Sequence, residues 1–402
     1  MVSTLIGLQC HVCHTPFPAE ATYVCDQCFG PLEPVYDYDK ARATFTREQI
    51  ATRPRNLWRY RELLPITGEP RTGFGSGFTP LVPAPRLAER LGVRELYIKD
   101  DGVNHPTLSY KDRVVSVAAT RAVELGFTTF GCASTGNLGN SVAAHAARLG
   151  LRCFVFIPDD LEPYKVLGSA VYQPTLLAVR GNYDDVNRLC TQVADKHGWG
   201  FANINLRSYY AEGAKTMGFE IVEQLGWRFP QHVVLPVAGG TLLPRVCRGF
   251  RELAQLGLAD GPLPKIYGAQ AAGSAPVMSP PPRPSVVISW SLVMPWKPAT
   301  ITTRPLSSSC TRRPVSTLAM RARLNEPSVR MPHCDAVSDT AGTPRSCRAR
   351  LRSETAIVSP HASNWSISRP DGRPETWLAI AISWSVVLPI AETATTTCFA
   401  SC

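Results

Sequence analysis

A chain of 402 residues, 44% of them hydrophobic, is long enough for two or three domains around a sizeable core, so it has no need of disulfide staples. It holds no apolar run of membrane-spanning length, and its opening MVSTLIGLQC lacks the basic start, apolar stretch and cleavage site of a secretion signal, so a soluble, cytoplasmic protein is expected. The net charge of +10 leaves no footprint for nucleic acid, because residues 276–402 carry 14 Lys+Arg against 7 Asp+Glu while residues 1–275 carry a nearly balanced 28 against 25.

The chain opens with Cys10-x2-Cys13 and, after eleven residues, Cys25-x2-Cys28. Two such knuckles present four thiolates that can close tetrahedrally on zinc, and the metal replaces the core that ~30 residues cannot build alone. Residues 1–35 therefore read as a zinc ribbon with a structural metal, beside which His11 and His14 are bystanders. The scattered Cys132, Cys153, Cys190 and Cys247 sit in apolar surroundings and read as inert core thiols. Residues 36–78 form an arginine-rich linker and docking segment, with one aromatic cluster, Leu57, Trp58 and Tyr60, to anchor it.

From 79 to 275 short β-branched or aromatic runs alternate with helical stretches. The pattern predicts strands over 96–99, 128–132, 153–157, 175–179, 232–236 and 266–268, and helices over 137–149, 183–196, 210–225 and 242–256. Such alternation implies an α/β fold, a parallel sheet covered by helices. Near Ala275 the character changes, and residues 276–402 hold 16 prolines and only two glycines, Gly342 and Gly372. This Pro/Ser/Arg-rich tail is expected to be irregular or disordered. Its five tryptophans and its run TWLAIAISWSVVLPI fit an out-of-frame translation better than a natural disordered tail. Reading the nucleotide sequence near codon 275 in the other two frames separates the two.

Five segments of the body carry chemistry-bearing patterns. Thr79-Pro80-Leu81 precedes the first helix and strand, whose end carries Lys99 and the pair Asp100-Asp101, read as a turn. HPTLSYKDRVVSVAA, from His105 to Ala119, puts Lys111 at a loop-to-helix junction, with Asp112 and Arg113 as a structural pair at the helix start. Ser134-Thr135-Gly136-Asn137 follows a strand and opens a helix, where small residues let backbone amides approach an anion; a plain N-capping turn is the alternative. Asn205 to Thr216, NLRSYYAEGAKT, brings Arg207 and Lys215. Val237-Ala238-Gly239-Gly240-Thr241 is a glycine loop of the kind that holds a phosphate by main-chain amides.

In this order and spacing the segments resemble the threonine synthase family of fold-type II pyridoxal-phosphate enzymes, from the cysteine knuckles to about residue 272. Pro106-Thr107-x-Ser109-Tyr110-Lys111-Asp112-Arg113 is similar to the family's P-T-x-S-F-K-D-R, with Tyr110 for the usual Phe, and Asn205 to Lys215 is similar to N-x-R-x-x-x-x-E-G-x-K. The resemblance implies a tryptophan synthase beta-like, two-domain parallel-sheet fold over residues 79–275, incomplete without a matching C-terminal third. It implies pyridoxal 5'-phosphate as cofactor and Lys111 as the Schiff-base lysine, an amine that must be able to become neutral to attack an aldehyde and carry protons. Asn137 then bonds the phenolic oxygen of the cofactor ring, Val237 to Thr241 cup its phosphate, and Ser134, Thr135 and Gly136 cradle the substrate carboxylate. Arg207 and Lys215 are the candidates for a second phosphate on the substrate. The implied reaction, in threonine biosynthesis, turns O-phospho-L-homoserine and water into L-threonine and phosphate; the implied partner is that small molecule, without nucleic acid or membrane, and a homodimer is allowed. Rival readings are a cysteate synthase, cysteine synthase or threonine dehydratase on the same fold, a zinc-ribbon binding module on an inert body, and an inactive frameshifted product.

Overall fold

The computed structural model describes residues 3–134, 136–271, 288–290 and 378–383. The cysteine-bearing segment is an antiparallel sheet of β1 (Leu5–Cys10), β2 (Pro16–Phe17) and β3 (Leu32–Tyr36), in the order β2-β1-β3. The short helices α1 (Tyr38–Thr44) and α2 (Arg47–Ala51) follow, started by Asp37 and Thr46, whose side chains accept the Lys40 and Gln49 amides. A 3-10 segment, Leu57–Leu63, then buries Leu57, Trp58 and Tyr60. Trp58 Nε1 donates to the Thr72 carbonyl at 2.8 Å, and the Tyr60 ring lies 5.2 Å from that of Phe219.

The body runs β4 (Leu81–Pro83), α3 (Pro85–Leu91), β5 (Glu95–Asp100), α4 (Lys111–Glu124), β6 (Thr129–Ala133), α5 (Asn137–Leu149), β7 (Arg152–Pro158), α6 (Pro163–Ala170), β8 (Thr175–Val179), α7 (Tyr183–His197), β9 (Gly200–Phe201), α8 (Arg207–Glu212), α9 (Lys215–Gln224), β10 (His232–Pro236), α10 (Leu242–Gln255) and β11 (Lys265–Ala271). Two strands come from the tail, β12 (Ile288–Trp290) and β13 (Leu378–Ser383). One sheet, β8-β7-β6-β9, is wholly parallel; the other, β12-β11-β10-β13-β5-β4, is parallel except for β4. Among the described residues no helix is long and apolar enough to cross a membrane.

All six strands expected from the β-branched runs form. The helix expected over 210–225 is two, interrupted at Gly213 and Ala214 although both keep right-handed helical angles; Gly213 lies against α4, where a Cβ would stand 2.4 Å from the Arg113 carbonyl oxygen. Its apolar pattern runs on through the interruption, so periodicity hides the break. β13 departs from the irregularity expected of the tail. Its run LAIAIS, apolar at nearly every position, suits a parallel strand between two others, and it pairs with both β10 and β5.

Two helices are buried nearly all round, and both carry charge. In α4 every residue from Asp112 to Ala122 is buried, and in α9 every residue from Lys215 to Val222. Buried charges survive only with partners. Arg113 and Asp112, expected as a pair, each turn elsewhere: Arg113 binds Asp101 at 2.7 Å and Glu220, and Glu220 also takes Lys99 at 2.7 Å. The reason is directional, since successive helix positions point about 100° apart and cannot face each other. Asp100, as a turn residue should, accepts the Gly102 amide at 2.9 Å.

Candidate active site

Lys111 opens α4 directly after a loop that its own neighbours fold. Asp112 accepts from the amide and hydroxyl of Thr107, both at 2.8 Å, and from the hydroxyl of Ser141 at 2.6 Å, so one carboxylate closes the loop and ties α4 to α5. Burial lifts that carboxyl to about 6, against the hydrogen bonds from Ser141 and Thr107. Asn104 Nδ2 donates to the Ser109 carbonyl at 2.8 Å, and the Ser109 hydroxyl takes the Lys111 amide at 3.2 Å. The side chain of Lys111 is partly buried, with Nζ 3.1 Å from the Tyr110 hydroxyl and 2.9 Å from that of Tyr210 on α8. Burial works against its charge, but the phenol oxygens of Tyr210 and Tyr110 outweigh burial and raise the ammonium above the ordinary lysine value.

The loop after β10 faces this amine. Tyr110, Lys111, Pro236 and every residue from Val237 to Leu243 line one small, open cavity. A Cβ at Gly239 or Gly240 would meet nothing within 4 Å, and Gly240 has φ of +81°, which disfavours a side chain. No side chain caps α10, so the first turn of this 14-residue helix meets the cavity with its amides unclaimed by a cap. Lys111 and the glycine loop, 126 positions apart in sequence, thus share one pocket.

The other expected residues are dispersed. Ser134 is buried and its hydroxyl accepts the amides of Gly136 (3.1 Å) and Gly139 (2.8 Å), organising the start of α5. Asn137 is exposed at the first position of α5 and, like Ser134 and Gly136, does not line the cavity; Thr135 lies outside the described residues. Arg207 is exposed at the start of α8. Lys215, expected beside it at a substrate phosphate, is an internal cation instead. It is fully buried, 2.8 Å from Glu212 and 3.0 Å from Glu252, with its ammonium over the Tyr36 ring. Spacing offered only Glu212, three positions earlier; the other partners, Glu252 and Tyr36, come from α10 and β3. Tyr210 was missed for the same reason: only the folded chain brings it to a lysine 99 positions earlier.

The four cysteines form a separate cluster. The sulfurs of Cys10, Cys13, Cys25 and Cys28 all lie within 4.8 Å of one another, with Cys10 to Cys28 at 3.4 Å and Cys13 to Cys25 at 3.5 Å. A tetrahedral zinc with bonds of ~2.3 Å needs sulfurs ~3.8 Å apart. All four are free, well beyond the ~2.05 Å of a disulfide. His11 is turned to Glu33 at 3.6 Å, outside the cluster.

The model of the family described as "pyridoxal-phosphate dependent enzyme" matches residues 74–304, more than half of the chain. The chain belongs to that family. As one of these pyridoxal-phosphate-dependent enzymes it is 37% identical over 273 residues to threonine synthase from Methanosarcina acetivorans, covering 67% of this chain and 66% of that one. It is 38% identical over 261 residues to threonine synthase from Methanocaldococcus jannaschii, 64% of each chain. With threonine synthase from Synechocystis it shares 40% over 221 residues, 54% of this chain and 56% of the relative. The chain thus spans less than two thirds of the length of these relatives. Its pocket fits the cofactor: an amine meets a glycine loop with room beside both glycines, ahead of an uncapped helix.

Proposed function

We propose that this chain is a threonine synthase, a cytoplasmic lyase that turns O-phospho-L-homoserine and water into L-threonine and phosphate. The reading rests on Lys111 and Val237–Thr241 lining one cavity, within a chain 36–40% identical to threonine synthases over their shared length. Pyridoxal phosphate, when bound, supplies an electron sink for the substrate's α-carbon. Lys111 would hold it covalently, and the amides of Val237, Ala238, Gly239, Gly240 and Thr241 would hold its phosphate, helped by the positive end of α10. Asn137 would donate to its ring oxygen. Ser134, Thr135 and Gly136 would receive the substrate carboxylate, with Arg207 as the cation for the substrate's own phosphate. Lys111 Nζ, once released by substrate, takes the α-proton and returns it. Lys215 holds α8 and α10 together rather than touching substrate.

Lys111→Ala should abolish the visible absorbance of the cofactor-loaded protein and leave nothing for borohydride to reduce onto the chain. A persisting reducible adduct would sink the assignment. Phosphate release should be seen with phosphohomoserine and not with phosphoserine; the reverse preference would favour a cysteate synthase. We further propose that Cys10, Cys13, Cys25 and Cys28 hold one structural zinc, since four free thiols gather at near-tetrahedral spacing. Metal analysis should find one zinc per chain, lost in Cys25→Ser; a metal-free, fully folded protein would refute it.

A further inference from the structure

We propose that Tyr210 is the positioning residue for the Lys111 amine, holding it in one place through both of its protonation states. The consequence for catalysis rests on Lys111 being the cofactor lysine; the geometry does not. Two other lysines of the body, Lys99 and Lys215, are fully buried, and each lies within 3.0 Å of a carboxylate. Among the described residues Lys111 has no such ion pair, and phenols stand in its place: Tyr210 at 2.9 Å and Tyr110 at 3.1 Å.

The difference is chemical. A carboxylate only accepts, so it has no proton to give to the lone pair of a neutral amine. A phenol both accepts and donates, so it can take a hydrogen bond from the ammonium and return one to the neutral amine. An amine that must alternate between these states keeps its partner only if the partner can reverse roles.

Tyr210 reaches the amine from a different element. Tyr110 is the chain neighbour of Lys111 and shares its loop. Tyr210 is buried on α8, where the two residues before it are tied down through their side chains: Ser208 Oγ donates to the Leu32 carbonyl at 2.8 Å, and the Tyr209 hydroxyl donates to the Glu20 carbonyl at 2.6 Å. At the end of α8, Gly213 lies against the Arg113 backbone, fixing the distance from α8 to α4. The other titratable group facing Lys111 is Cys132 on β6, whose thiol burial pushes well up and keeps neutral; Asp112, next in α4, is turned to Thr107 and Ser141, and Val237–Thr241 brings no titratable side chain.

The test is the titration of Lys111 in the full chain freed of cofactor. Pulses of formaldehyde and cyanoborohydride across pH, with the Lys111 peptide read by mass spectrometry, give the amine's midpoint, and the exposed Lys196 peptide is the internal control. Tyr210→Phe should lower the Lys111 midpoint by about one unit, roughly a tenfold gain in labelling at fixed pH below it, with Lys196 unmoved. Tyr110→Phe should shift it less. An unchanged midpoint in Tyr210→Phe, or a larger shift in Tyr110→Phe, overturns the proposal. If Tyr210→Phe does not fold, 3-fluorotyrosine at position 210 keeps the shape and acidifies the phenol; the midpoint must then move, and a static one is equally fatal. Because no cofactor is present, this result stands apart from the borohydride test of Lys111, which fails or succeeds by itself.

Discussion

Lys111 and Lys215 touch the same short helix, α8, from different sides, and their surroundings are opposite. Lys215 has Glu212 and Glu252 at 2.8 and 3.0 Å and no exposed surface; Lys111 has two phenols and a cavity. Around Lys215 the charges are matched and locked. Glu212 illustrates it: burial pushes its carboxyl up, yet Arg248, Lys215 and Arg245 together hold it well below the usual carboxylate range. The same cluster joins the cysteine-bearing sheet to the body, since Arg245 reaches Glu33 at 2.7 Å and the Tyr36 hydroxyl reaches Glu212 at 2.8 Å. A buried cation with carboxylates holds structure, whereas one left with neutral, reversible partners is free to do chemistry. Substitution by methionine gives the largest test of that contrast. Lys215→Met should lose about 3 kcal/mol or more in urea unfolding, because it leaves buried carboxylates short of a partner. Lys111→Met should change stability by less than about 1 kcal/mol while abolishing cofactor attachment. Equal losses would erase the distinction.

Behind Lys111 the polar network is also neutral where it can be. His145 is buried on α5, its Nδ1 donating to the Ser141 carbonyl and its Nε2 meeting the Ser116 hydroxyl, both at 2.9 Å. Burial lowers its pKa to about 4 from 6.5, so the unfolded chain binds the proton more readily between those values. Its contribution is therefore intact above pH 6.5 and lost as pH falls towards 4, by about 3 kcal/mol in all. Asp112, raised to about 6, acts with the opposite sign: its folded form binds the proton first, so acidification from pH 6 towards 3.8 adds stability. The two nearly cancel in the native chain. His145→Gln should expose the Asp112 gain, becoming more stable relative to the parent by roughly 3 kcal/mol between pH 7 and pH 4. Denaturation curves that stay parallel across that range would show that His145 is not held neutral.

The alternation of strands and helices was legible in the sequence because each β-branched run is short and punctuated, and the cysteine cluster because its spacing is local. The glycine loop and Lys111 could be found as motifs, but their meeting in one cavity depends on the register of β10 beside β13 and β5, which no local pattern carries. Lys215 misled for a physical reason: a charged residue in a polar motif reads as exposed, and its burial requires acceptors from α10 that sequence cannot align with it. The close approach of Gly213 to α4 was equally hidden, and it yields a smaller test. Gly213→Ala would set a methyl against the Arg113 carbonyl and the Val114 Cα, at 2.4 and 2.6 Å, where only backbone can give way. It should cost about 1–3 kcal/mol and, by moving α8 away from α4, shift the Lys111 titration as Tyr210→Phe does. A stability loss with an unmoved Lys111 midpoint would mean that α8 does not set the amine's position.

The smallest effect separates two roles for Ser134. Its hydroxyl accepts the amides of Gly136 and Gly139, which makes it the cap of α5 even though it stands two residues before the helix's own N-cap, Gly136. A capping hydroxyl removed by alanine costs about 1 kcal/mol. Ser134→Ala should therefore lower stability by about that amount. If the hydroxyl only shapes the turn, kcat/KM for phosphohomoserine should fall no more than a few-fold, and threonine at this position should restore both stability and rate. If it instead binds the substrate carboxylate directly, KM should rise roughly tenfold or more, beyond what the loss of stability accounts for. The hydroxyl's acceptor positions are taken by the Gly136 and Gly139 amides and its own proton is given to the Gly136 carbonyl at 3.2 Å, so no donor is left for a carboxylate and the geometry favours the smaller change in KM.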